Sequence, residues 1–266
     1  MCRISIQRLF PIFVIMRVIV LALFSIISVN LIAQGEIRMG IQAGLNFSYR
    51  FLSNNNDDDP ITDEIIRHYD TYETPALAYR FAFASDFQLS KHFNFEIGAS
   101  ITRNQYIYSN SDLSFGDFVD PRRGFISDID QVKTYERRVN YLYAGVPVRG
   151  IYRAGLSSLK FIGHIGVSPQ ILLDNYFNST VTYQNGTEDT TQSESSDEPA
   201  DFNFSPFFGL GLEWELADKW CLRTEAVARY GALDVSDQSP INTRLVSSEF
   251  TAGLYYLLRS GKDSTE

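Results

Sequence analysis

The sequence predicts an all-β fold, an eight-stranded antiparallel up-and-down transmembrane β-barrel with short periplasmic turns and long acidic external loops. Segments of alternating apolar and polar residues recur along the chain, and the connections between them are alternately long and short. The N-terminus has the layout of an export signal. A period of two is that of a β-strand, whose successive side chains leave opposite faces. A strand number that is even suits a single-chain bacterial barrel.

Residues 1–33 read as a signal peptide. Basic residues precede an apolar run from Val18 to Val29, and small Ala33 stands before Gln34. Met16-Arg17 gives a tidier basic region than Met1 and offers an alternative start. An N-terminal anchor is the competing reading, but the run is short for one. Past residue 33, nothing approaches the roughly 20 apolar residues of a membrane helix, so a span has to be built from strands. The barrel is expected over residues 34–258 and a polar tail over 259–266. Without the signal only Cys221 remains, which excludes a disulfide framework and a thiolate metal cluster. A net charge of −9 argues against nucleic-acid partners.

The first strand is IRMGIQAGLNFSYRF, Ile37 to Phe51, with Ile41, Leu45 and Phe47 on one face and Gln42, Asn46 and Arg50 on the other. The second runs from Ala76 to Leu89 and the third from Phe93 to Tyr108, both cleanly alternating. In the fourth, Val132 to Arg149, Leu142, Ala144, Val146 and Val148 share a face, while Tyr141, Tyr143 and Pro147 confuse the register. Pro147 cannot donate to a ladder, so a bulge or locally open pairing is expected there. The remaining strands are expected at 159–172, 202–216, 220–233 and 244–258.

The connections at 52–74, 109–131, 174–201 and 234–243 are long, and each carries more acids than bases. Those at 90–92, 150–158 and 217–219 are shorter. Long connections all at one end suit an up-and-down barrel and give a soluble sandwich no advantage.

The alternation alone leaves open whether lipid or a soluble core meets the apolar face. The polar face is rich in Gly, Ala, Asn and Ser, which suits a crowded lumen. Its charges, leaving out the fourth strand, are Arg38, Arg50, Arg80, Lys160, Arg223 and Arg229 against Asp86, Glu96, Glu213, Glu215, Glu225 and Glu249. Bases and acids match in number, as in an internal salt-bridge network, and His164 joins them. The opposite face carries Tyr49, Phe51, Phe87, Phe93, Trp214, Trp220, Tyr230 and Tyr256 near strand ends, where interfacial girdles belong.

The segments IRMGIQAGLNFSYRF, YLYAGVPV, FFGLGLEWEL and LRTEAVARYGALDV, in that order, resemble the bacterial outer-membrane β-barrel domain family of porin-like and PorT-like proteins. YLYAGVPV departs from the family by Ala144-Gly145-Val146 before the proline, and YYLLRSGKDSTE by the absence of a closing aromatic. The resemblance implies the fold and a place in the bacterial cell outer membrane; PorT-like members assist secretion machinery. It carries over no site residue and implies no cofactor.

Asp57, Asp58 and Asp59 in the first long connection could hold a divalent cation weakly, but they lack the ligand spacing and glycine of a dedicated calcium loop. Thr187 to Pro199 reads as a disordered acidic loop. Ile61 to Tyr72 has helical spacing with Thr62 as N-cap. His68 beside Asp70 lacks a nucleophile, which makes an enzyme the weaker reading. The expected role is therefore non-enzymatic: a plugged small barrel acting as a scaffold or as a binding or assembly factor through its external loops. The alternatives are a narrow passive diffusion pore and a PorT-like accessory of a secretion system. Expected partners are outer-membrane lipid and lipopolysaccharide, divalent cations at the loops, and a protein of a secretion or envelope system.

Overall fold

The computed structural model describes residues 35–54, 60–111, 119–120, 124–125, 132–156, 158–194, 200–235 and 241–259. The expected signal peptide, the polar tail beyond Arg259 and the Asp57–Asp59 run lie outside the described residues. In chain order the elements are β1 (Ile37–Asn54), α1 (Pro60–Tyr72), β2 (Glu73–Gln88), β3 (Phe93–Asn110), β4 (Val119–Asp120) and β5 (Gly124–Phe125). There follow β6 (Val132–Gly145), β7 (Val148–Leu156), β8 (Leu159–Tyr183), β9 (Glu188–Glu194), β10 (Phe202–Ala217), β11 (Trp220–Tyr230) and β12 (Ile241–Arg259).

Antiparallel pairing runs from β10 through β11, β12, β1, β2 and β3 to β6 and β7, then to β8, and β8 pairs back to β10. The sheet is thus a closed ring. Its staves number eight because β6 and β7 are one stave. Ile97 faces Val148 and Ser100 faces Gly145 on one side, while Val167 faces Val148 and Gln170 faces Gly145 on the other, so the register passes Pro147 unshifted. The Pro147 carbonyl still accepts from the Gly98 amide at 3.0 Å. The pairing is locally open at the proline, and no residue is inserted. This stave continues to Leu156, seven residues past the expected end, which shortens the turn that follows.

Other elements also differ from expectation. A bulge falls at Leu173, between the pairs Leu142 with Asp174 and Tyr143 with Leu172. Beyond it β8 climbs to Tyr183 and pairs with β9, so much of the loop read as disordered is a hairpin. Glu188 to Glu194 is polar on both faces and shows no amphipathic period, yet its threonines suit a strand. The helix α1 begins at Pro60, a residue preorganised for a first helical position; Thr62 therefore lies inside the first turn and is not the N-cap.

Both ends of the described barrel, β1 and β12, start and finish beside the short connections. This turn end is the periplasmic end, and the longer connections project from the external one. On the outer wall Ile41 is 66% exposed, Ile165 73% and Leu210 71%, with Leu45, Phe47, Phe81 and Phe250 also open. Phe51, Phe93, Trp220 and Tyr230 are exposed near strand ends, and Trp220 meets Tyr256 edge-on at 4.9 Å. Inside, Gln42, Asn46, Arg80, Glu213 and Arg223 are buried. A closed ring satisfies its own backbone, and an apolar exterior around a charged interior is stable only when lipid surrounds it. The protein is an outer-membrane β-barrel whose core is its lumen.

Candidate functional site

Side chains from most of the staves meet in the turn-end half of the lumen. Arg223, at the start of β11, donates to Asp86 at 2.6 Å, to Glu96 at 2.7 Å and to Glu213 at 2.8 Å, joining β2, β3 and β10. Arg149 bridges Glu96 at 2.7 Å and Glu225 at 2.9 Å. Arg153 reaches Asp86 and, at 3.0 Å, Glu213. Arg38 closes the group on Glu213 at 2.8 Å. The Tyr255 hydroxyl donates to Glu96 at 3.0 Å, and the Arg223 guanidinium lies 4.1 Å over the same ring. A Cβ on Gly40 would stand 2.5 Å from that ring, so the tyrosine fits only because β1 has glycine there. Each guanidinium is held by fixed carboxylates, the arrangement a buried ion needs.

Halfway up, Arg229 holds Glu249 with its Nε at 2.9 Å, and Arg80 Nε stands 3.7 Å from the same carboxylate. His164 is buried with its Nε2 3.8 Å from Glu225. Above this level the lining turns neutral. Asn46 donates to the Arg103 carbonyl at 2.8 Å and to Asn104 at 2.7 Å, while Ser48 donates to the Gln105 carbonyl at 2.8 Å. The β2–β3 register shifts between Pro75 and Arg80, and the small Ala76 and Ala78 let these β1 side chains reach across to β3. Near the rim Tyr106, Val139, Tyr141, Tyr143, Val235 and Leu245 form an apolar cluster. Arg50 binds Glu73 there, 4.6 Å over the Tyr69 ring of α1 and 4.8 Å over Tyr106, so the helix leans on the lumen mouth.

The residues predicted from sequence therefore fall into separate groups. Arg38, Asp86, Glu96, Glu213, Arg223 and Glu225 come together at the turn end. Arg80, Arg229 and Glu249 form the middle level, and Arg50 stands apart at the loop end. Lys160 pairs with Glu215 at 2.5 Å on the periplasmic rim, where both are partly exposed. The rim opens on a cavity of about 440 Å³ lined by Glu36, Arg38, Glu215, Lys219, Trp220 and Cys221, and of these Arg38 is the residue bound to Glu213.

Arg149, Arg153 and Tyr255 were not among the predicted residues. The signal for the arginines was the run Tyr141, Tyr143, Gly145, Pro147, Arg149, Ile151, Arg153, which shares one face once the proline is not read as a register break. The His68–Asp70 pair is not assembled. His68 Nε2 lies 3.1 Å from the Tyr108 hydroxyl, and Asp70 accepts from Tyr49 at 3.1 Å. Among the described residues no cluster of His, Cys, Asp and Glu is placed to hold a metal ion.

No family model and no curated protein matches the chain. Among solved structures, the chain is similar to the outer membrane protease OmpT from Escherichia coli, with 10% identity and a TM-score of 0.41, covering 85% of this chain and 98% of that one. It is similar to OprG from Pseudomonas aeruginosa, at 10% identity and a TM-score of 0.40 over 85% and 98% of the two chains. Neisserial surface protein A matches at 11% identity and a TM-score of 0.38 over 82% and 96%.

Proposed function

We propose that the protein is a plugged, non-enzymatic barrel that presents its external end as a scaffold or binding surface. One observation carries this reading: fully buried Arg223 reaches from β11 to carboxylates on β2, β3 and β10, and so bars the lumen. Eight staves enclose an interior that side chains just fill, and this network fills it with ions that cannot separate cheaply. The part offered to a partner is then the water-facing wall above the membrane, where β6, β8 and β9 carry Thr, Asn, Ser and charged residues.

A narrow diffusion pore is the competing reading, and the Arg223 crossing opposes it. A PorT-like accessory role in secretion is the more specific form of the scaffold reading, supported by the sequence resemblance; lipopolysaccharide and divalent cations are the other partners suited to the external loops. Planar-bilayer recording of the purified protein separates plug from pore. Silence in molar salt is expected, and stepwise conductance would overturn the plugged barrel.

A further inference from the structure

The two charged levels of the lumen differ in balance. At the turn end Arg38, Arg149, Arg153 and Arg223 meet Asp86, Glu96, Glu213 and Glu225, and Arg38 also meets Glu36, so no arginine there lacks a carboxylate of its own. In the middle, Glu249 is the carboxylate within 4 Å of both Arg80 and Arg229 among the described residues. Arg229 holds it with Nε at 2.9 Å and Nη2 at 3.5 Å. Arg80 stands 3.7 Å away, and its own hydrogen bond goes to neutral Gln42 at 3.4 Å.

Glu225 lies beside this level, 3.8 Å from His164, but it is held by Arg149, so within 4 Å of Arg80 and Arg229 the described residues leave one positive charge in surplus. The Arg80 and Arg229 side chains are 7% and 5% exposed, in a lumen wrapped by lipid. A buried cation without a counter-charge is costly, and a fold with a closed wall has no means to relieve it by exposure. Unused donors lie at the same place: Arg80 Nε and Arg229 Nη1 are buried without a protein acceptor. So is the hydroxyl of Thr102, the residue paired with Arg80 across β2 and β3.

We infer that Arg80 and Arg229 hold a monovalent anion of halide size in the middle of the lumen, with Thr102 as an additional donor. The charge to be neutralised is single, and the donors are two guanidinium edges and a hydroxyl, which suit a small spherical anion. The site is internal and independent of what the external loops bind.

Bromide tests it. In the purified full-length barrel, sodium bromide replaces sodium gluconate at constant ionic strength, so that general screening does not change. The unfolding midpoint should rise with bromide, and bromide-soaked crystals should give an anomalous peak within contact distance of both guanidiniums. Arg80→Gln leaves Arg229 and Glu249 as a matched pair; it should still fold and should need about 30-fold more bromide for the same shift, the scale of losing one partner of a buried charge pair. Glu249→Gln adds a second surplus charge and should tighten bromide binding. A wild-type crystal with Arg80 hydrogen-bonded to Glu225 and no peak between the arginines would overturn the site, whatever the variants do. An unchanged bromide response in Arg80→Gln would overturn it too.

Discussion

The two halves of the lumen are enclosed by the same eight staves and are filled on opposite principles. Toward the periplasm the filling is ionic, with Arg223 in contact with Asp86, Glu96 and Glu213. Toward the outside it is mostly neutral and then aromatic, from Asn46 and Ser48 to the cluster around Tyr106 and Tyr141, with the Arg50–Glu73 pair set against the rings. Ion pairs tie strands that are far apart in sequence to fixed partners, whereas hydroxyls, amides and tyrosines tolerate rearrangement. The turn end is therefore where the barrel is locked, and under the proposed scaffold role the loop end is the part left to adapt to a partner.

The largest expected effect breaks the locked half. Arg223→Met should leave three buried carboxylates short of a shared partner and cost about 3–5 kcal/mol, the scale of breaking a buried ion network from one side. Urea titration of the folded barrel would measure it. Arg223→Lys should recover only part of the loss, because an ammonium cannot match the planar fork that serves three acceptors. Near-wild-type stability in Arg223→Met would show that the plug is not what holds the turn end.

Next comes the wall that both halves share. Leu45→Arg places a cation on the lipid face near mid-strand and should cost about 2–4 kcal/mol in membrane assembly. Its neighbour in sequence, Asn46, faces the loop-end lumen with 0% exposure and donates to the Arg103 carbonyl and to Asn104. Asn46→Ala should cost about 1–2 kcal/mol, the loss of a buried donor rather than of a charge. Folding yields in lipid vesicles would rank the two. The reverse order would mean that the apolar face of β1 does not meet lipid.

How much of this was legible in the sequence follows from what alternation can and cannot carry. Where one face meets lipid and the other a polar lumen, as in β1 and β2, the strand and its facing can be read directly from the residues. The fourth stave defeated that reading because its inward residues include Tyr141 and Tyr143, as large as most lipid-facing side chains. Arg149 and Arg153 were hidden with it. The β8–β9 hairpin was read as disordered for a related reason: water meets both of its faces, so no period marks it. Balanced charges could be counted from sequence, but partners could not. Which arginine meets which carboxylate depends on how far each stave is displaced along its neighbour, and that displacement is a property of the closed ring.

The smallest expected effect probes the boundary of the ionic half. Lys160 and Glu215 are 2.5 Å apart, closer than any of the Arg223 ion pairs, but their side chains are 27% and 38% exposed at the periplasmic mouth. Water and salt compete for both ions, so Lys160→Ala should cost no more than about 1 kcal/mol, and less as salt is raised. The same titration that reports the Arg223 loss would register it. If Lys160→Ala instead matched Arg223→Met, short distance alone would explain the strength of the plug. The expected gap of several-fold would show that exclusion of water inside the ring, more than proximity, gives the turn-end network its hold on the barrel.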